Sequence, residues 1–175
     1  MTQLEEVTID DAKVICDLRN NERNNKYLSS SAPVSIGDQQ SWIINNKAKQ
    51  DGYYLKIIDL SNDECCGTIS LYNISENKAE FGRYIATRSL QAIEAEYLLI
   101  KLGFEALNLK EIYCRTAIEN TKVWQQHYKF GFRDIEEIML KEKALLLKVQ
   151  EISADTYNSM DYSFINKIIE RFNDV

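Results

Sequence analysis

The 175-residue chain has 21 Lys and Arg against 27 Asp and Glu, which gives a formal net charge of −6. One domain spanning residues 1–175 is expected, and this length is enough to bury a sizeable core. The acidic balance argues against nucleic-acid binding, and no apolar run approaches the roughly 20 residues that span a bilayer. The first six residues lack the basic region and apolar stretch of a signal peptide, so the expected compartment is the cytoplasm, without membrane association.

The four cysteines are expected to be reduced thiols, in keeping with that compartment. Cys16 and Cys114 lie in apolar-periodic stretches, where a free cysteine behaves as a small core residue. Cys65 and Cys66 are neighbours, and neighbours on a strand point to opposite faces. The sequence has neither a Cys-x-x-Cys pair nor a Cys/His cluster at metal-ligand spacing, so no metal is expected.

The first third of the chain predicts an edge strand followed by two helices. Residues 4–9 alternate as an edge strand does, and the acids that follow can cap a helix with one apolar face. The polar segment 19–35 is expected to be a loop with a helical turn near residues 27–28. Either Ser35 or Asp38 caps the second helix.

The rest of the chain predicts six strands and three helices, separated by turn residues. A stripe of apolar side chains at three- and four-residue steps marks the long helix. The last helix is amphipathic, with Phe164, Ile165, Ile168, Ile169 and Phe172 on its apolar face, and it forms an appendage to the domain. The predicted strands are 53–59, 66–72, 78–85, 111–117, 132–139 and 144–152, and the predicted helices are 90–107, 120–129 and about 153–173.

One segment, residues 120–132, carries a resemblance to a known family. It reads Asn-Thr-Lys-Val-Trp-Gln-Gln-His-Tyr-Lys-Phe-Gly-Phe. It resembles the cofactor-side helix and following strand of the GNAT superfamily of acyl-CoA-dependent N-acyltransferases, whose usual form is Asn-x-x-Ala-x-x-Leu-Tyr-x-Lys-x-Gly-Phe. The element order over residues 1–152 is also that of GNAT enzymes. The resemblance implies an α+β fold: a mixed, mostly antiparallel sheet of about seven strands flanked by helices, with splayed fourth and fifth strands forming an acyl-CoA cleft.

The same resemblance implies where acetyl-CoA binds. In the family, a turn of the form Arg/Gln-x-x-Gly-x-Gly/Ala holds the CoA pyrophosphate with backbone N–H groups at a helix N-terminus. Here the corresponding segment 87–95 has no glycine, and its Glu94 and Glu96 are read as helix-start acids that would repel a pyrophosphate if they faced it. The backbone N–H that binds the thioester carbonyl falls on Tyr84, Ile85 or Ala86. The other implied cofactor contacts are Arg88, Gln91, Ala92, Ile93, Asn120, Lys122 and Lys129.

Two residues are candidates for proton transfer in a direct attack of an amine on the thioester. The family's tyrosine, which protonates the departing thiolate, falls on His127, the only histidine. An unperturbed imidazole titrates near neutral pH, which suits this role. The alternative is a half-exposed helix residue packing against Trp124 or Tyr128, with Tyr128 as the fallback acid. Glu80 is the candidate base, or otherwise a solvated strand residue.

Three short matches are similar to a GNAT subgroup associated with bacterial surface sugars: Gly-Thr-Ile-Ser-Leu-Tyr at 67–72, the run at 88–95, and His-x-Lys-Phe-Gly at 127–131. The implied function is acetyl transfer from acetyl-CoA to a primary amine of a small molecule, a nucleotide-linked amino sugar in polysaccharide biosynthesis. Arg19, Asn20 and Tyr72 are the candidate substrate contacts. A protein N-terminal acetyltransferase and a non-catalytic binding module with a degenerate loop stay open as alternatives, as does a homodimer.

Overall fold

The computed structural model describes residues 1–28, 32–165 and 167–168. Its first part contains the predicted edge strand and two helices, and the expected loop contains one further short helix. That helix is capped by Asn21, whose side chain accepts a hydrogen bond from the N–H of Arg23, so the helical turn comes earlier than predicted. The Ser35 hydroxyl accepts from the N–H of Asp38 and begins the long second helix. The elements are β1 Thr2–Glu6, a 3-10 turn Ile9–Asp11, α1 Ala12–Asn20, α2 Glu22–Asn25 and α3 Ile36–Lys49.

The remaining predicted strands are confirmed to within a few residues. The long helix departs from the prediction near its end, because a wider π-helical turn at Leu102–Ala106 follows its α-helical part. The prediction of a single helix for 153–173 is wrong because the helix is interrupted: α6 ends at Ser159, since Met160 is extended, and helical residues return at 163–165 and 167–168. Ile169 and Phe172 lie outside the described residues. The elements are β2 Tyr53–Asp59, β3 Glu64–Ser75, β4 Lys78–Ala86, α4 Ser89–Lys101, β5 Glu111–Ala117, α5 Thr121–Lys129, β6 Arg133–Leu140, a 3-10 turn Lys141–Lys143, β7 Leu145–Ser153 and α6 Ala154–Ser159.

The seven strands form one sheet in the order β1-β2-β3-β4-β5-β7-β6. All neighbours are antiparallel except β4 and β5, which are parallel. Their pairing runs from Lys78 with Glu111 to Phe81 with Cys114 and stops there. The ends of both strands, residues 82–86 and 115–117, therefore diverge. The α+β fold with two splayed central strands is confirmed.

Helices cover the two faces of the sheet. On one face α4 and α6 pack on a large apolar cluster that includes Phe81 and Cys114. On the other face α1 and α3 pack on a smaller cluster that includes Tyr54. Because side chains alternate along a strand, Glu80 and its cross-strand partner Tyr72 lie on the α1 and α3 face. The gap between β4 and β5 connects these two faces.

A β-bulge interrupts this alternation at the gap. Ser70 pairs with Gly82 and Thr68 with Ile85, so two β4 residues, Arg83 and Tyr84, lie opposite one β3 residue. Arg83 has a φ of 50°, in the left-handed region that non-glycine residues rarely occupy. Bulges of this kind re-aim the side chains that follow them.

The four cysteines are free thiols, and Cys65 alone among them is not fully buried. Over the described part of the chain, no helix combines the length and apolarity required to cross a membrane.

Candidate active site

A cleft of about 450 Å³ opens where β4 and β5 part. Its walls come from both faces of the sheet, because the gap between the strands passes through it. From the α5 face it is lined by Phe81, Tyr84, Cys114 and His127, and from the α1 face by Arg19, Tyr27, Tyr54, Tyr72, Glu80 and Arg83.

His127 lies on the α5 wall in a buried ion pair. Its side chain is 1% exposed, and its Nδ1 is 2.6 Å from Oε1 of Glu96, which is itself fully buried. The ring contacts Phe81 and Phe132, with centroids 5.1 and 5.2 Å away. The alternative prediction, that His127 is half-exposed and packs against Trp124 or Tyr128, is therefore wrong.

The charge of this imidazole follows from its partner. Burial lowers the pKa of His127, but the Glu96 carboxylate and the neighbouring Cys114 thiol raise it by more, to about 10. The ring is therefore an imidazolium at neutral pH, with one N–H donated to Glu96. A cation of this kind at the cleft wall can stabilise a developing thiolate. Tyr128, the fallback acid, is exposed, and its hydroxyl donates to Asp134 at 2.7 Å.

Glu80 lies on the opposite wall, 2% exposed, and its carboxylate is surrounded by donors. Arg115 donates to both oxygens through Nε at 2.9 Å and Nη2 at 2.7 Å. The hydroxyl of Tyr72 donates at 2.7 Å, and the amide of Asn73 at 3.1 Å. The alternative prediction, that Glu80 is a solvated strand residue, is thus wrong. A role as a base stays a prediction, and it requires one of these donors to give way to the amine.

The N-terminus of α4 lies at the end of β4, and no side chain caps it. Arg88, at the N-cap position, forms ion pairs with Asp59 and Glu64, the latter at 2.6 Å, and Gln91 donates to the same Asp59 at 2.9 Å. Exposed Ser89 is the first helical residue. Unpaired N–H groups of a first helical turn favour anions.

The two acids further along α4 do not face this end. Glu94 is 3% exposed and accepts a hydrogen bond from the Thr2 hydroxyl, while Glu96 accepts from Gln126 at 2.6 Å besides binding His127. The prediction that they are helix-start acids is wrong, because the first turn of α4 contains no acid and each has a partner on another element. For the same reason neither is placed to repel an anion at the N-terminus.

The other predicted cofactor residues are spread over the cleft and the surface. Asn120, at the N-cap position of α5, lines the cleft, as do Tyr84 and Ile85. The Tyr84 hydroxyl donates to the carbonyl of Ala92 at 2.8 Å and thereby joins β4 to α4. Ala86 and Ile93 are half-buried next to the core, and Lys122 and Lys129 are exposed on α5 outside the cleft lining.

The predicted substrate contacts lie on the α1 side. Arg19 and Tyr72 both line the cleft. The Asn20 side chain instead closes the loop, since it donates to the carbonyl of Val34 and accepts from its N–H, both at 2.9 Å.

Sequence reasoning missed three residues of this site: Arg83, Glu96 and Arg115. For Glu96 a signal existed, because it lies three residues after Ile93 and four before Ile100, on the apolar stripe of the helix. Arg115 shares its strand face with Tyr113, the partner of Glu80. For the bulge that re-aims Arg83 the signal was Gly82, because an isolated glycine inside a strand often marks a bulge.

Comparison with known proteins places these features in a family. The model for the "Acetyltransferase (GNAT) domain" matches residues 2–133. A structure described as "Apo FdhC- a nucleotide-linked sugar GNAT" is 28% identical, with a TM-score of 0.76 over 90% of this chain and 89% of that one. Vibrio cholerae spermidine N-acetyltransferase, in complex with CoA and spermine, is 19% identical, with a TM-score of 0.79 over 90% of this chain and 98% of that one. The latter likeness shows the fold alone. The search of curated proteins gives no match.

Proposed function

Because the chain belongs to the GNAT acetyltransferase family, we propose that it transfers an acetyl group from acetyl-CoA to the primary amine of a nucleotide-linked amino sugar. The observation that carries the proposal is the cleft between the diverging ends of β4 and β5, with an uncapped helix N-terminus at the end of β4. The likeness to a nucleotide-linked sugar GNAT, together with the short matches to surface-sugar enzymes, supports this acceptor. A cytoplasmic role in polysaccharide biosynthesis belongs to the same proposal.

The chain's own residues divide the chemistry between the two walls. Backbone N–H groups of the β4 end, at Tyr84, Ile85 or Ala86, polarise the thioester carbonyl. The amine nitrogen attacks the carbonyl carbon, the carbon–sulfur bond breaks, and the amine loses a proton to Glu80 or to water. The imidazolium of His127 stabilises the departing thiolate, or protonates it as a general acid.

The first experiment measures thiol release from acetyl-CoA with a panel of acceptors, alongside calorimetry with acetyl-CoA alone. We expect micromolar to millimolar cofactor binding and turnover with UDP- or dTDP-linked amino sugars. Turnover only with peptides carrying a free N-terminus would support the protein acetyltransferase instead. A protein that does not bind acetyl-CoA at millimolar concentration is the binding module, and the proposal is then lost.

A second experiment tests the α4 N-terminus. Ser89→Pro removes one backbone N–H at the first helical position, where proline is tolerated, and Arg88 before it already has the extended backbone that proline favours. A hydrogen bond to a charged group contributes about 1.5–3 kcal/mol, so we expect the Kd for acetyl-CoA to rise roughly ten- to one-hundred-fold. Ile36→Pro makes the same change at the first residue of α3, which follows an extended Ser35.

Calorimetry of both variants decides the question. The Ile36 variant should bind acetyl-CoA as the wild type does, and both should keep the wild-type unfolding midpoint within a few degrees. Unchanged affinity in the Ser89 variant would show that this helix end does not hold the pyrophosphate.

A further inference from the structure

We propose that Arg19 and Arg83 form the binding site for the diphosphate of the acceptor, on the α1 wall of the cleft. The inference rests on the proposed function and goes beyond it, because it assigns the part of the acceptor that is remote from the reacting amine to two named side chains. Arg83 was not among the residues expected from the sequence.

Arg83 is a half-buried cation that has no ion pair with a carboxylate of the described residues. Its guanidinium carbon lies 4.0 Å from the ring centroid of Tyr72 and 4.9 Å from that of Trp42, and its Nη1 donates to the side chain of Asn46 at 2.9 Å. Desolvation lowers the pKa of this guanidinium, so its surroundings disfavour the charge. The backbone that presents it is the left-handed residue of the bulge. Costly arrangements of this kind persist at binding sites.

Arg19 reaches the same place from the last turn of α1. Its Nε atom is buried and has no hydrogen-bond partner in the described residues. Both arginines lower the pKa of the Tyr54 hydroxyl, against the larger effect of burial, so both charges lie close to that one group. Tyr54 and the two arginines line one wall of the cleft.

Within the described residues Arg19 and Arg83 are half-buried and have no ion pair, whereas the other arginine without one, Arg23, is exposed. Arg88, Arg115 and Arg133 each contact a carboxylate within 2.7 Å. Across residues 1–28, 32–165 and 167–168, neither Arg19 nor Arg83 has a carboxylate within 4.0 Å. Unpaired buried donors are costly, which indicates a partner that arrives with the ligand.

The charges of the cleft identify that partner as an anion. Its described lining contains Arg19, Arg83, Arg115 and Lys143 but one carboxylate, Glu80, which Arg115 already binds in two places. This positive lining occurs in a chain of net charge −6. A polyamine would be repelled here. Guanidinium groups bind phosphate oxygens through paired N–H donors, and two of them match the two phosphates of a sugar nucleotide.

The test compares two acceptors in the variants Arg19→Gln and Arg83→Gln. One acceptor is a nucleotide-linked amino sugar, and the other is the same amino sugar as its methyl glycoside, which lacks the diphosphate. We expect each variant to raise KM for the linked acceptor at least ten-fold, with kcat and the Kd for acetyl-CoA within three-fold of wild type, and to leave kcat/KM for the methyl glycoside unchanged. Arg133→Gln, which removes an exposed arginine on β6, is the matched control and should change neither.

Binding of UDP and dTDP to the acetyl-CoA-saturated protein separates the two proposals. Arginine-dependent binding of these diphosphates without acetylation of any amine would sink the proposed function and keep this inference. The inference would be overturned if replacing either arginine lowered kcat/KM equally for the linked acceptor and for the methyl glycoside. It would also be overturned if the variants lost affinity for acetyl-CoA to the same extent, because the arginines would then bind the cofactor. Should Arg83→Gln fail to fold, the variants Arg83→Lys and Arg19→Gln test the inference without it, since Arg19 is half-exposed.

Discussion

The replacement Glu96→Gln should change how the stability of this protein depends on pH. It removes the negative charge that faces His127 at 2.6 Å and keeps the volume of the side chain. Without that charge, burial, the largest single effect on the pKa of His127, outweighs the remaining effect of Cys114 and we expect the imidazole to be neutral. The folded protein then no longer binds a proton at this site at neutral pH.

The size of the effect follows from proton linkage. The pKa of His127 rises from 6.5 to about 10 on folding, so its contribution to stability is fully present below pH 6.5 and is lost as pH rises through 10. Between those values the folded state holds one proton more than the unfolded state, which is worth about 1.4 kcal/mol per pH unit. From pH 7 to pH 9 the wild type should therefore lose roughly 2.5 kcal/mol of its free energy of unfolding through this one group.

Urea unfolding at pH 7, 8 and 9 measures this loss in three proteins. Glu94→Gln is the control, because Glu94 is a second buried carboxylate of α4 whose partner is the Thr2 hydroxyl and not a histidine. Wild type and the Glu94 variant should lose stability with the same slope, while the Glu96 variant should be less stable at pH 7 and flatter by about 1.4 kcal/mol per pH unit. Equal slopes in all three would refute a charged His127. The simpler His127→Phe would leave Glu96 buried without a cation, so its activity cannot be separated from misfolding.

Two further predictions concern stability. Gly103→Ala places a Cβ 2.7 Å from Cδ1 of Ile112 and should lower the free energy of unfolding in urea by about 1–3 kcal/mol. Gly37→Ala in α3, where the nearest atom is 4.0 Å from the new Cβ, should raise it by roughly 0.5–1 kcal/mol. If Gly103→Ala were the more stable of the two variants, the packing described here would be contradicted. Thr2→Val removes the hydroxyl that Glu94 accepts from and should cost about 1–3 kcal/mol in the same assay, and an unchanged midpoint would mean that water or another donor replaces it.

The sheet could be predicted from the sequence because its strands are short apolar runs bounded by turn residues. Strands 53–59 and 111–117 have the bounds that their patterns indicate. The sequence motif of α5 located the helix next to the cleft, since its spacing survives although its tyrosine position holds His127. These features depend on local pattern, which a single sequence contains.

The polar interior of the site could not be predicted in the same way. The sequence suggested a solvated strand residue for Glu80 and a helix-start acid for Glu96. The partners that make their burial tolerable, Arg115 and His127, lie 35 and 31 residues away in sequence. Gly82 marked the bulge in β4, but the residue with the left-handed backbone is its neighbour Arg83, which is not a glycine. The end of α6 likewise depends on Met160, whose extended backbone follows no proline or glycine.

The Glu96–His127 pair also links α5 to α4. A nine-residue segment is marginal as an isolated helix in water, and His127 is the one residue of α5 that is fully buried. Contacts with other elements therefore stabilise it: Glu96 of α4 binds His127 and Gln126, and Gln150 of β7 donates to the carbonyl of Trp124. We therefore expect this wall of the cleft to be ordered before a ligand arrives, so that the cofactor has little conformational entropy to remove there.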